Sequence, residues 1–220
     1  MLDDIKDKML EALGHTPHAD ELFILRHGKT ALDPTQRSDG WLDFPLSDEG
    51  RVRLLTAEQF LNTFPIKVIY APTLKRTTET ADIMSSGILS HPKVIAADDA
   101  KTWNFGILAG TIKKENRPLV EHFMIHTKDA PEGGESRDAF RTRFLPWLEA
   151  RKTEVKAGKG PILLVLSGSN IREIGFQIFG KEEEIDLDEG GLAAIYPDDD
   201  GDWTAEVIFG HKDEKNEWLS

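Results

Sequence analysis

Glu21-Leu22-Phe23-Ile24-Leu25-Arg26-His27-Gly28 is the stretch on which the reading of this chain turns. Leu22–Leu25 is an unbroken apolar run, the pattern of a strand buried on both faces. Such strands belong to parallel sheets covered by helices on both sides. The run ends abruptly in arginine, histidine and glycine. A second run, Ile162-Leu163-Leu164-Val165-Leu166, ends in Ser167-Gly168-Ser169. In open α/β sheets, ligands bind beyond the carboxyl ends of the strands. Two strand ends of this kind mark one candidate site, with the strands expected side by side and Ser167 facing the same pocket as His27.

Outward from these runs, strands alternate with helices. Ser47, followed by Asp48 and Glu49, has the chemistry of a helix start, and Leu54, Phe60, Leu61 and Phe64 give that helix an apolar side. Val68–Tyr70 reads as a strand, Pro72-Thr73 opens a helix running to Ser85, and Val94–Ala96 reads as another strand. A helical stretch is expected within 112–134 and a long helix over Glu135–Val155, with Phe140, Phe144, Trp147 and Leu148 inward and a kink at Pro146. Ile171–Phe179 reads as a helix, and Leu192–Tyr196 with Trp203–Phe209 as a hairpin closed by Pro197–Asp202. The fold class predicted is α/β: three layers, a mixed, mainly parallel sheet flanked by helices on both faces. A helical extension is expected over residues 1–20, one domain over 21–211, and a polar tail over 212–220. Leu2, Ile5, Met9 and Leu13 space the extension for one helical face, and His15 and His18 beside its proline read as surface residues.

Composition narrows the partners. The chain has 220 residues, 39% hydrophobic and 30% charged, which suits one large globular domain. Its formal net charge is -12, so a nucleic-acid backbone is repelled, and an anionic ligand must be met by arginines concentrated locally. No cysteine is present, which removes disulfides, thiolate catalysis and zinc–thiolate sites, and which fits a cytoplasmic location. No apolar run reaches membrane-spanning length, and no secretory leader is expected. Oligomeric state is not legible.

His27 carries the chemistry. A neutral imidazole is a good nucleophile, and an adjacent guanidinium offers a planar fork for phosphate oxygens. Glycine lets a bulky group approach the backbone. The tripeptide alone is also compatible with a histidine that closes the strand. His122 and His126 stand at metal-binding spacing on a helix, but no catalytic glutamate lies between them, and no metal site is predicted. No serine-hydrolase elbow surrounds Ser169, and Gly158-Lys159-Gly160 lacks the rest of a P-loop.

The context is more specific. Arg26-His27-Gly28-Lys29-Thr30 is followed by Gly40-Trp41, by Asp43-Phe44-Pro45-Leu46-Ser47, by Gly50, and by Ala71-Pro72-Thr73-Leu74-Lys75-Arg76 with Thr80-Ala81. Gly106, Gly110 and Pro131–Ser136 supply later landmarks. In order and spacing these motifs resemble the histidine phosphatase (phosphoglycerate-mutase-like) superfamily, branch 1, from Leu22 to Phe209. The resemblance implies His27 as the nucleophile that carries a transient phosphohistidine, and Arg26 and Arg76 as ligands of the phosphoryl oxygens. It implies Gly28, Thr30, Ser167 and Gly168 around the phosphate, no metal or organic cofactor, and a small phosphorylated substrate.

Two departures matter. Family members usually carry a second histidine after the strand matching Ile162–Leu166. Here Ser167 occupies that place, or the histidine is deleted beside it; either way the imidazole is missing. Many members also carry a glutamate four residues before the glycine matching Gly106, and Thr102 stands there. Asp98 and Asp99 are nearby substitutes for that proton donor. The expectation is a cofactor-independent phosphomonoester phosphatase of reduced activity. The alternative is a catalytically impaired member serving as a phospholigand-binding or protein-interaction module. Specificity is expected from the loop Ala31–Asp39 and the segment Ile112–Glu132.

Overall fold

The computed structural model describes residues 8, 10–18, 20–32, 37–181 and 185–211. The predicted tail over 212–220, and Leu2, Ile5 and Met9 of the predicted extension, lie outside the described residues. Six strands form one sheet: β1 Leu22–Arg26, β2 Val68–Ala71, β3 Lys93–Ala96, β4 Ile162–Leu166, β5 Leu187–Pro197 and β6 Trp203–His211. Their order across the sheet is β3-β2-β4-β1-β5-β6. The first four pair in parallel, and β5 runs antiparallel to both β1 and β6. The sheet is mixed and mainly parallel, as the two continuous apolar runs require.

The period-two geometry of a strand divides each run between two cores. Leu22 and Ile24 of β1, with Ile162, Leu164 and Leu166 of β4, pack on one face. That face is covered by α4 (Arg137–Glu154), through Phe140, Phe144 and Leu148, and by α5 (Gly168–Phe179), through Ile171 and Ile174. Phe23, Leu25, Leu163 and Val165 face the other way. There they meet α1 (Asp48–Leu61), through Leu54, Phe60 and Leu61, and α2 (Lys75–Gly87), through Ala81 and Met84. The helix α3 (Lys113–Ile125) has no fully buried residue and rests on the first core by Val120, Phe123 and Met124.

Several boundaries differ from the sequence reading. The helix α4 starts at Arg137, after Ser136 as its cap, rather than at Glu135, and α5 starts three residues before Ile171. Strand β5 reaches back to Leu187 through the glycine pair Gly190-Gly191, with register shifts between Leu187 and Ala193. The sequence reading starts that strand only at Leu192, because bulges, not apolar side chains, carry it through the glycines.

His15 is not a surface residue. It is 4% exposed and sits among the rings of Phe23, Phe60 and Phe64, with Leu10 buried in the same core. Its ring nitrogens lie 3.2 Å from Glu21 and 2.8 Å from Glu206. Burial opposes a charge on this imidazole, but hydrogen bonds to the two carboxylates outweigh it and raise its pKa above the usual value.

Candidate active site

Register brings the two strand ends together. Arg26 of β1 is paired with Leu166 of β4, and the next amide, that of His27, donates to the Leu166 carbonyl at 3.0 Å. His27 and Ser167 therefore leave the sheet side by side and line one cavity. Arg76 reaches the same cavity from the first turn of α2, which follows directly on β2. The strand neighbours β1, β4 and β2 thus supply the histidine, the serine and the second arginine.

The imidazole of His27 is buried, and its Nδ1 lies 2.9 Å from the Gly28 carbonyl oxygen. A carbonyl only accepts, so Nδ1 bears the hydrogen and Nε2 is left with its lone pair. Burial first, and then the charges of Arg76 and Arg26, push the His27 pKa down to about 3. The ring is neutral throughout the ordinary pH range, the form a nucleophile needs.

The two arginines are held by the protein through only part of their donor sets. Arg26 donates to the Leu187 carbonyl and to Glu189 Oε1. Arg76, 1% exposed, donates to the carbonyls of Leu42 (2.9 Å) and Gly40 (2.7 Å). Nε of each arginine is buried without a hydrogen-bond partner among the described residues, and so is Ser167 Oγ. A buried polar atom without a partner costs free energy comparable to a lost hydrogen bond, and all three residues line the cavity. The N-terminus of α5 adds to this. Gly168 and Ser169 line the cavity, and the positive end of the helix dipole favours an anion there. Arg172, one turn further on, lines it too.

Gly28 and Thr30, expected beside the phosphate, do not line the cavity. Gly28 faces α1: a Cβ there would stand 3.0 Å from the Gly50 carbonyl, and one on Gly50 would stand 2.2 Å from that of Lys29. These glycines let the start of α1 close directly onto the segment after His27. Thr80 adds a pin, accepting from the Gly28 amide (3.1 Å) and donating to the Arg76 carbonyl (2.6 Å). Thr30 is buried, bridges Leu46, and turns its hydroxyl to the Leu32 carbonyl at 3.3 Å.

Asp98 and Asp99 are exposed and also lie outside the cavity lining. A hydrogen bond from Thr73 (2.6 Å) holds the Asp98 carboxyl below its usual pKa, the opposite of what a proton donor requires. His122 pairs with Asp129 at 2.8 Å on the surface. Among the described residues no group of three or more histidine, aspartate or glutamate side chains is arranged to hold a metal ion.

Sequence reasoning missed Ser169 and Arg172 as cavity residues, and singled out none of Arg37, Ser38, Asp39 and Lys113 within the segments expected to set specificity. Arg37 and Lys113 come from the two segments expected to set specificity. Residues 33–36 of the first segment lie outside the described residues.

The sequence profile of branch 1 of the histidine phosphatase superfamily matches residues 22–205. The chain belongs to that superfamily. Within it, a 2,3-bisphosphoglycerate-dependent phosphoglycerate mutase of Methanosarcina mazei is 39% identical over 188 residues, covering 70% of this chain and 78% of that protein. Among solved structures, phosphoglycerate mutase from Bacillus anthracis superposes with a TM-score of 0.71 at 22% identity, covering 85% of this chain and 91% of the other. A mycobacterial glucosyl-3-phosphoglycerate phosphatase gives 0.69 at 21%, covering 86% and 98%. These superpositions establish the phosphoglycerate-mutase-like fold. The family landmarks also meet in space: Gly106, at φ +51°, lies so close to Gly134 that a Cβ on Gly106 would stand 2.5 Å from its nitrogen. No helix among the described residues is long and apolar enough to cross a membrane.

Proposed function

We propose that this protein is a phosphomonoesterase that acts on a small phosphorylated substrate through a phosphohistidine at His27. The observation that carries this reading is the neutral, tautomer-fixed imidazole in one cavity with two buried arginines whose Nε atoms make no hydrogen bond among the described residues. The substrate phosphoryl group sits between Arg26, Arg76 and the start of α5. His27 Nε2 attacks phosphorus, the ester P–O bond breaks, and the arginines hold the charge spread over the phosphoryl oxygens. Water then attacks the phosphohistidine, the P–N bond breaks, and inorganic phosphate leaves. The relatives include both mutases and phosphatases by name. A mutase must return the phosphoryl group to a second position of an organic substrate, and no feature of this cavity calls for that return.

Ser167 sets the expected level of activity. Its hydroxyl donates one neutral hydrogen bond where an imidazolium would add charge, a loss on the order of 10²–10³ in rate by analogy with a missing oxyanion donor. The test is steady-state hydrolysis of phosphomonoesters by the parent and by His27→Ala. Activity that His27→Ala abolishes supports the reading. Phosphate binding without His27-dependent turnover favours a phospholigand-binding module instead.

A further inference from the structure

Thr102 lines the cavity, but a threonine hydroxyl is too weak an acid to protonate a leaving group efficiently. The carboxyl of Asp39 lines the same cavity, its side chain 13% exposed. Its Oδ1 is buried without a hydrogen-bond partner among the described residues, and Oδ2 stands 4.0 Å from Arg76 Nε, beyond hydrogen-bond reach.

The backbone around this carboxyl is tied down on both sides. Before it, Ser38 exchanges bonds with the turn at 110–111: its carbonyl accepts from the Gly110 amide (2.6 Å), and its amide donates to the Thr111 carbonyl (3.3 Å). After it, the Gly40 and Leu42 carbonyls are the two acceptors that clamp Arg76. Trp41 Nε1 donates to the carbonyl of Thr102 itself at 2.7 Å, so the loop bearing Asp39 is stitched to the loop bearing Thr102. This is a fixed, half-buried carboxyl with no hydrogen-bond partner among the described residues, held only at ion-pair distance from Arg76 and facing a site for anions. Ionised, it repels the substrate phosphate; protonated, it has a proton to give.

We propose that Asp39 is the general acid of this site, protonating the leaving oxygen as His27 takes the phosphoryl group. The proposal rests on the phosphomonoesterase reading above. In the first step, the His27 Nε2–P bond forms and the P–O bond to the leaving group breaks. The Asp39 proton goes to the leaving oxygen, and the products are an alcohol, the phosphohistidine and the Asp39 carboxylate. In the second step, that carboxylate accepts a proton from the attacking water. The resulting hydroxyl joins phosphorus, the P–N bond breaks, and neutral His27 and protonated Asp39 return with inorganic phosphate. Burial raises the Asp39 pKa toward the working range, with the charge of Arg76 opposing it; Glu189 adds to the rise, and Arg26 and Lys113 oppose it.

The experiment compares p-nitrophenyl phosphate, whose leaving group needs little protonation, with glycerol phosphate, whose alkoxide needs it fully. The enzymes are the parent, Asp39→Asn, Asp39→Ser, Asp39→Glu and His27→Ala. The expected result is a fall of at least about 10²-fold in the ratio of alkyl to aryl kcat for both Asp39→Asn and Asp39→Ser. Asp39→Glu recovers part of that ratio. The alkaline limb of the parent's alkyl-phosphate pH profile also disappears in Asp39→Asn. An unchanged ratio in folded Asp39→Asn and Asp39→Ser, with turnover still dependent on His27, overturns the assignment of Asp39 alone. Absence of His27-dependent turnover in the parent overturns the phosphomonoesterase reading and this inference with it.

Discussion

A buried imidazole that stays neutral makes the fold sensitive to acid, and His27 gives the effect a size. In the unfolded chain its pKa returns to 6.5, whereas in the folded protein it is held at about 3. Below the unfolded value the unfolded chain takes up a proton that the folded one refuses. Stability contributed by this group is therefore complete above the unfolded pKa and declines as pH falls toward the folded value. At about 1.4 kcal/mol per unit of pKa difference, the full decline is on the order of 5 kcal/mol, and between about pH 7 and pH 5 it is about 2 kcal/mol. The perturbation is His27→Gln, which keeps a polar side chain and removes the titration. Urea unfolding of the parent and of His27→Gln, at both pH values and without phosphate, isolates the effect, because every other titrating group is common to the two proteins. Phosphate must be absent, since an anion between Arg26 and Arg76 offsets the charges that help to depress this pKa. The parent should lose about 2 kcal/mol more than His27→Gln over that interval. Parallel losses would mean that His27 protonates freely in the folded protein, and the argument for a neutral nucleophile would fail.

Two further outcomes follow from the same structure. Ser167→His places an imidazole beside the cavity arginines and should raise kcat/KM on an aryl phosphate by on the order of 10²-fold; an unchanged rate in a folded variant would mean either that the second histidine was deleted rather than replaced or that the pocket has been reshaped for binding. His15 has the opposite titration to His27: its raised folded pKa gives stability that is fully present below the unfolded value of 6.5 and is lost as pH rises through the folded value. His15→Gln should therefore cost more stability at mildly acidic pH than at alkaline pH, and an equal cost at both, by chemical unfolding, would refute the charged Glu21–His15–Glu206 cluster.

The parts of the fold that were legible in the sequence are those decided by local pattern. Leu22–Leu25 and Ile162–Leu166 are apolar without interruption because both faces of those strands are covered, and that same fact makes them central neighbours. The capping of α1 was equally local: Ser47 Oγ accepts from the Gly50 amide at 3.0 Å. What was not legible depends on partners distant in sequence. Asp39 stands in a stretch of glycine, proline and aspartate that reads as a loop, and its half-burial beside the cavity depends on Arg76, from another element, which holds the Gly40 and Leu42 carbonyls. His15 reads as a polar residue in a proline turn, and only the folded chain brings Glu206 within 2.8 Å of it. The strand read from Leu192 left out Glu189, because β5 is bulged there, yet Glu189 accepts a hydrogen bond from Arg26. The glycine after the histidine was read as room for a phosphate, whereas the structure uses that room for α1.

The central claim is a phosphoryl group carried on His27. Rapid mixing of the protein with a phosphomonoester labelled in its phosphate, quenching in alkali and mapping of the labelled peptide tests it directly. The account predicts label on the peptide containing His27, stable in alkali and released in mild acid as a phosphoramidate should be, and absent from His27→Ala. Phosphomonoester turnover that proceeds in His27→Ala, or label on any other residue, would contradict it.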